Sequence, residues 1–100
     1  MARILKADAE RRLANVPDEH AFRCCDGSVF RSLQELQGGL SGMSDESYAF
    51  HAGKDRNDFS NWVRDVIEDQ KLARDLLRAQ SRAQAADNVA TRIQFLASKK

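Results

Sequence analysis

The chain has 100 residues, enough for one domain with a single modest core and too few for two. Apolar residues make up 42% and charged residues 31%, spread along the whole length, which excludes a chain disordered throughout. Sixteen basic and 15 acidic residues leave a net charge of +1, so no global field steers the molecule toward nucleic acid or an anionic membrane.

The first segment, 3–14, reads as a helix because Leu5, Ala9 and Leu13 recur at i, i+4 spacing, with Ile4 and Val16 alongside. Pro17 lies in the break that follows. The N-terminal stretch has no apolar core of signal-peptide length, and no run approaches the roughly 18 apolar residues of a membrane span. A cytoplasmic protein with no membrane partner is expected.

HAFRCCDGSVFR reads as a small β-hairpin over about 20–31, with Asp26-Gly27 as a type I′ turn. Such a ribbon is not stable alone and must lie on helices. On regular strands the adjacent Cys24 and Cys25 point to opposite faces, so they are expected as reduced thiols acting as small core hydrophobes.

Ser32-Leu33-Gln34-Glu35 is a capping box, opening a helix with Leu33, Leu36 and Leu40 buried. Gly38, Gly39 and Gly42 predict a stop near 38–41. Ser44, followed by Asp45 and Glu46, predicts a short helix or turn through SYAFH.

Phe59, Trp62, Val63, Val66 and Ile67 fall at i, i+3, i+4, i+7 and i+8, the strongest local signal in the chain. A helix capped by Asn57 or Asp58 and running to about Glu68 is expected as the centre of the core. On its polar side, Arg64 and Glu68 stand as an i, i+4 pair. Asp69 can cap a further helix carrying Leu72, Ala73, Leu76 and Leu77, and Ser81-Arg82-Ala83-Gln84 is another capping box. Beyond it Ala86, Val89, Ala90, Ile93, Leu96 and Ala97 form a long stripe. One bent helix or two helices meeting near Gln80-Ser81 fit equally. The expected fold is α+β, mainly α: a small β-hairpin packed on a bundle of four to five helices, all in one domain over 1–100.

Chemistry concentrates in HAGKDRND, 51–58, just before the central helix. His51 could act as a base, Lys54 and Arg56 are cations, and free amides at a helix N-terminus favour an anion. Against this, Asn57 or Asp58 can occupy those amides as a cap, leaving only a solvated loop. Trp62 reads as core in its apolar stripe, or as an interface anchor if exposed. The candidate binding set is His51, Lys54, Arg56, Asn57, Asp58, Trp62 and Arg64.

No catalytic residue is assigned, because no nucleophile motif and no phosphate-cradling glycine motif is present. No metal and no cofactor are expected. His20 and Cys24 would lie about 13 Å apart along a strand, and adjacent cysteines on a regular strand do not converge. Lys71, Arg74, Arg78 and Arg82 recur at helical spacing. On one continuous helix they would make a basic stripe about 16 Å long, which could meet phosphates; the plainer reading is a solvated face.

From His51 to Leu76 the sequence resembles a small uncharacterised prokaryotic family, domain of unknown function 5752. The residues that carry the likeness are Tyr48 to His51, the loop Lys54 to Asn57, and Asp58, Phe59, Trp62, Val63, Arg64, Asp65 and Val66. The upstream stretch Phe22 to Leu36 also fits. The likeness covers about 18–80, a core flanked by an N-terminal helical segment (1–17) and a C-terminal helix (81–100). It implies that His51, Asn57, Asp58, Trp62 and Arg64 belong to one arrangement, and it supplies no activity.

The functional expectation is a non-catalytic binding or adaptor domain whose partner is a protein. The first alternative is nucleic-acid binding through Lys71, Arg74, Arg78 and Arg82. The second is a small ligand or anion at 51–58. The stripe of the last helix, roughly 82–98, predicts a homo-oligomer if the rest of the chain cannot cover it.

Overall fold

In the computed structural model, which describes residues 4–53 and 55–100, the polypeptide forms six α-helices and one two-stranded antiparallel ribbon. The helices are α1 (Lys6–Leu13), α2 (Leu33–Gly42), α3 (Asp45–His51), α4 (Asp58–Trp62), α5 (Gln70–Arg78) and α6 (Arg82–Ala97). Strands β1 (Phe22–Arg23) and β2 (Val29–Phe30) lie between α1 and α2. The α+β, mainly helical reading holds. There are six helices, not four to five, because 45–51 is a full helix and because α5 and α6 are separate.

Local chemistry sets most boundaries. Ser32, Ser44, Asn57, Asp69 and Ser81 each accept a hydrogen bond from the backbone amide three residues on, so every helix from α2 to α6 starts on a side-chain cap. Two of these starts carry a return bond, displaced by one residue from the usual capping box. Glu35 accepts from the Arg31 amide (2.7 Å) and Gln84 from the Gln80 amide (2.8 Å), each just before the cap. The second of these, with Ala79 and Ser81 extended, separates α5 from α6.

Four expectations are corrected. First, α1 begins at Lys6; Leu5 is its uncapped entry residue and is exposed. Second, the hairpin turn is not type I′. Phe22 pairs with Phe30 and Arg23 with Val29, leaving Cys24 to Ser28 as the connection. The Gly27 amide donates to the Cys24 carbonyl, and only Gly27 takes a positive φ (+95°). That is a turn over Cys25-Asp26 followed by a glycine bulge, and it spares Asp26 the left-handed conformation that type I′ demands. Third, α2 continues through Gly42. Gly39 has a packing reason: a Cβ there would lie 2.1 Å from Cζ of Phe30, so the ring rests directly on the helix backbone.

The fourth correction concerns the central helix. After Trp62 it widens into a π turn, Val63–Ile67, and closes with Glu68 in the left-handed region (φ 65°). This turns Glu68 away from Arg64. Glu68 instead accepts from Arg11 of α1 (2.6 Å), while Arg64 pairs with its neighbour Asp65 (2.8 Å).

One cluster of buried residues runs through the molecule, from Ala9 through Phe22, Leu33, Leu36, Leu40, Phe59, Trp62 and Val63 to Leu72, Val89 and Leu96. α6 packs along α2 and also meets α1 and α5. Of its stripe, Ala86, Val89 and Leu96 are buried within the chain, Ala90 and Ile93 are half-buried, and Ala97 is exposed. No helix among the described residues is long and apolar enough to cross a membrane.

Candidate functional site

α3 and α4 are joined by a tight reversal. Ala52 and Asn57 form an antiparallel bridge, and the Gly53 amide donates to the Arg56 carbonyl (2.8 Å). These bonds pin the two ends of the corner together. Lys54, one of the candidates, lies outside the described residues.

His51 ends α3 and is buried beneath this corner. Its ring meets three phenylalanines edge-on: Phe50 at 4.9 Å, Phe22 at 5.1 Å and Phe59 at 5.4 Å between centroids. Both ring nitrogens are engaged. Nε2 accepts from the Cys25 amide (3.0 Å), so Nδ1 carries the proton and donates to Oδ2 of Asp58 (2.9 Å). One tautomer satisfies both bonds.

The roles of the other candidates follow. Asn57, not Asp58, is the cap of α4; its amide nitrogen also donates to the Leu76 carbonyl at the end of α5 (3.3 Å). Asp58 is thereby free to bind His51 with one oxygen and Arg56 with the other (2.9 Å). With the α4 amides capped and a carboxylate alongside, the corner is poorly suited to an anion. Trp62 is core, and its indole N–H donates to the His20 carbonyl (2.7 Å), holding the start of the hairpin. Arg64 is exposed and bound to Asp65; no contact joins it to His51.

The basic candidates do not form one stripe. Lys71 is paired with Asp75 (2.6 Å), and Arg74 and Arg78 are exposed on α5. Arg82 starts a different helix and is spent internally, donating to the carbonyls of Leu40 and Ser41 and to Asp45 (2.8–2.9 Å). It caps the C-terminus of α2 and ties it to α3.

Sequence reasoning missed two features. One is the pair of thiols. Cys24 is the residue after β1 and Cys25 the first of the turn, so strand alternation no longer separates them. Cys24 is buried, and burial pushes its thiol above the ordinary value. Cys25 is exposed, not core. Both are free, and their sulfurs and a His51 ring nitrogen all lie within 4.8 Å of one another. The reason given against a metal, divergence of adjacent cysteines, therefore fails. The other feature is a buried ion pair. Arg92 on α6 donates twice to Asp69 (2.7 and 3.1 Å), which also caps α5. An arginine three residues after Val89 and four before Leu96, inside an apolar stripe, was the available signal.

Two hollows lie away from this corner. One of about 170 Å³ is lined by Asp75, Arg78, Ala79, Gln84 and Asn88; one of about 230 Å³ is lined by Val16, Pro17, His20, Asp65, Val66 and Glu68. Both fall below the 300 Å³ or so at which small-molecule pockets begin. Comparison with family models, with curated proteins and with solved structures gives no match. The resemblance over residues 18–80 thus rests on the quoted residues alone.

Proposed function

We propose that this is a small, non-catalytic binding domain whose partner is another protein, met at the corner where α3 turns into α4. The carrying observation is Phe50. It is 62% exposed at the end of α3, yet it sits edge-on against the fixed His51 ring. A rigid aromatic on an ordered surface loses little conformational freedom on contact and is the kind of anchor that dominates protein interfaces. Beside the His51 ring, the exposed Cys25 turn borders the same corner. The hollows described above are too small for an organic ligand, which favours a broad contact over a pocket. The same reading puts the protein in the cytoplasm, a reducing compartment with which two free thiols are compatible.

The test compares Phe50→Glu with Leu77→Glu, a substitution at the similarly exposed Leu77 of α5. The reading expects Phe50→Glu to abolish retention of the partner in crosslinking from the native host. Leu77→Glu should leave it intact, and neither variant should move the unfolding midpoint by more than about 0.5 kcal/mol. Equal retention by both variants would count against the corner. Light scattering that shows a dimer lost only in Phe50→Glu identifies a second copy as the partner.

A further inference from the structure

We propose that Cys24, Cys25 and His51 form a zinc site, with Asp58 as the carboxylate that orients the imidazole from behind. This goes beyond the partner-binding reading and does not depend on it.

Three donors of the right kind converge: two sulfurs and an imidazole nitrogen, all within 4.8 Å of one another. Zinc–sulfur bonds of about 2.3 Å and zinc–nitrogen bonds of about 2.0 Å at tetrahedral angles set donor separations near 3.5–3.8 Å. The donors therefore need to close by about 1.3 Å at most. The turn over Cys25-Asp26 takes Cys25 out of strand β1, and both sulfurs come within reach of the same imidazole.

The histidine is set up as metal-binding histidines are. Its far nitrogen donates to a carboxylate, which fixes the tautomer and leaves the Nε2 lone pair directed at the cysteine turn. At present that lone pair accepts from the Cys25 amide. Zinc would exchange this bond for the metal–nitrogen bond and leave the amide, at the exposed tip of the hairpin, to water. Binding converts two thiols to thiolates, so one Zn²⁺ enters and two protons leave to solvent. Three protein donors leave a fourth position on the side of exposed Cys25, where water or a partner's side chain could complete the tetrahedron.

Cobalt reports the site directly. The full reduced chain is titrated with Co²⁺, then with Zn²⁺ under chelator competition. One equivalent of Co²⁺ should give a thiolate-to-cobalt charge-transfer band and the intense visible bands of tetrahedral coordination, and Zn²⁺ should displace it. Cys25→Ser, an exposed change, should reduce the charge-transfer band by about half, as one of two thiolates is lost. Asp58→Asn should weaken zinc by about 10–100-fold while far-ultraviolet circular dichroism stays unchanged. No charge-transfer band at stoichiometric cobalt overturns the proposal. So does a band that Cys25→Ser leaves intact. Partner retention by Phe50→Glu plays no part in either readout, so the two proposals fail separately.

Discussion

The molecule buries polar groups in two places, and the two are built on different logic. At the α5–α6 junction, Asp69 and Arg92 form a two-pronged ion pair with almost no access to water. At the α3–α4 corner, His51 is equally covered, but its partners are not. Asp58 keeps a second contact to Arg56, and the Cys25 amide sits at an exposed turn. If the first pair is broken, Asp69 keeps only the Leu72 amide and Arg92 only the face of Phe95, neither of which is a counter-charge. The second is a chain of hydrogen bonds that ends in the half-exposed Asp58–Arg56 pair, and its outer members can turn to solvent. The junction is thus a structural lock, and the corner is where the surface can change without collapse of the core.

The largest expected effect breaks the lock. Arg92→Ala should lower stability by about 3–5 kcal/mol, because a carboxylate is left buried without its counter-charge. The double change Asp69→Leu with Arg92→Met removes both charges. It should recover most of that loss, leaving about 1 kcal/mol for the missing α5 cap. Urea unfolding followed by Trp62 fluorescence measures both. A single-variant loss under about 1 kcal/mol would erase the contrast.

His51→Leu is the matching change at the corner, where the partners keep other options. It should cost about 1–2 kcal/mol in the same assay. A loss as large as that of Arg92→Ala would mean the two regions follow the same rule.

The smallest effect concerns pH. The Ser28 amide and hydroxyl beside Asp26 hold its carboxyl below the usual carboxylate range. A carboxyl depressed in the folded chain takes up its proton later on acidification than it does in the unfolded chain. Its contribution is therefore full above the ordinary value of about 3.9 and is lost as pH falls through the lower folded value. Asp26→Asn should flatten that part of the stability profile without moving the neutral-pH midpoint appreciably. An unchanged acid limb would show that the turn adds nothing to it.

Much of the fold was legible because short-range chemistry decided it. Ser32, Ser44, Asn57, Asp69 and Ser81 were readable as caps, and each one is. The stripe from Phe59 to Ile67 was readable from its period, and all but half-buried Val66 are in the core. What failed depended on contacts distant in sequence. Gly39 looked like a helix stop, but it is where Phe30 lands on α2. Arg92 went unread inside its stripe, because its partner Asp69 lies 23 residues away. Of the loop candidates, His51 and Arg56 share the Asp58 carboxylate, and Asn57 caps the helix beside them. Arg64 lies apart from them, exposed and paired with Asp65. Cys25 was missed because one bulged residue moved it out of the strand.

The last helix has a temporal consequence. Arg92 reaches back to Asp69, and Arg82 reaches back to Leu40, Ser41 and Asp45, so α6 fastens segments made well before it. A nascent chain that has emerged only as far as Ser81 holds Asp69 without its cation and α2 without the neighbour that covers it. Acquisition of the native state therefore waits for the final sixteen-residue helix, as expected where long-range closure must precede its reward. Until then α2 has only the hairpin and α1 to lie against.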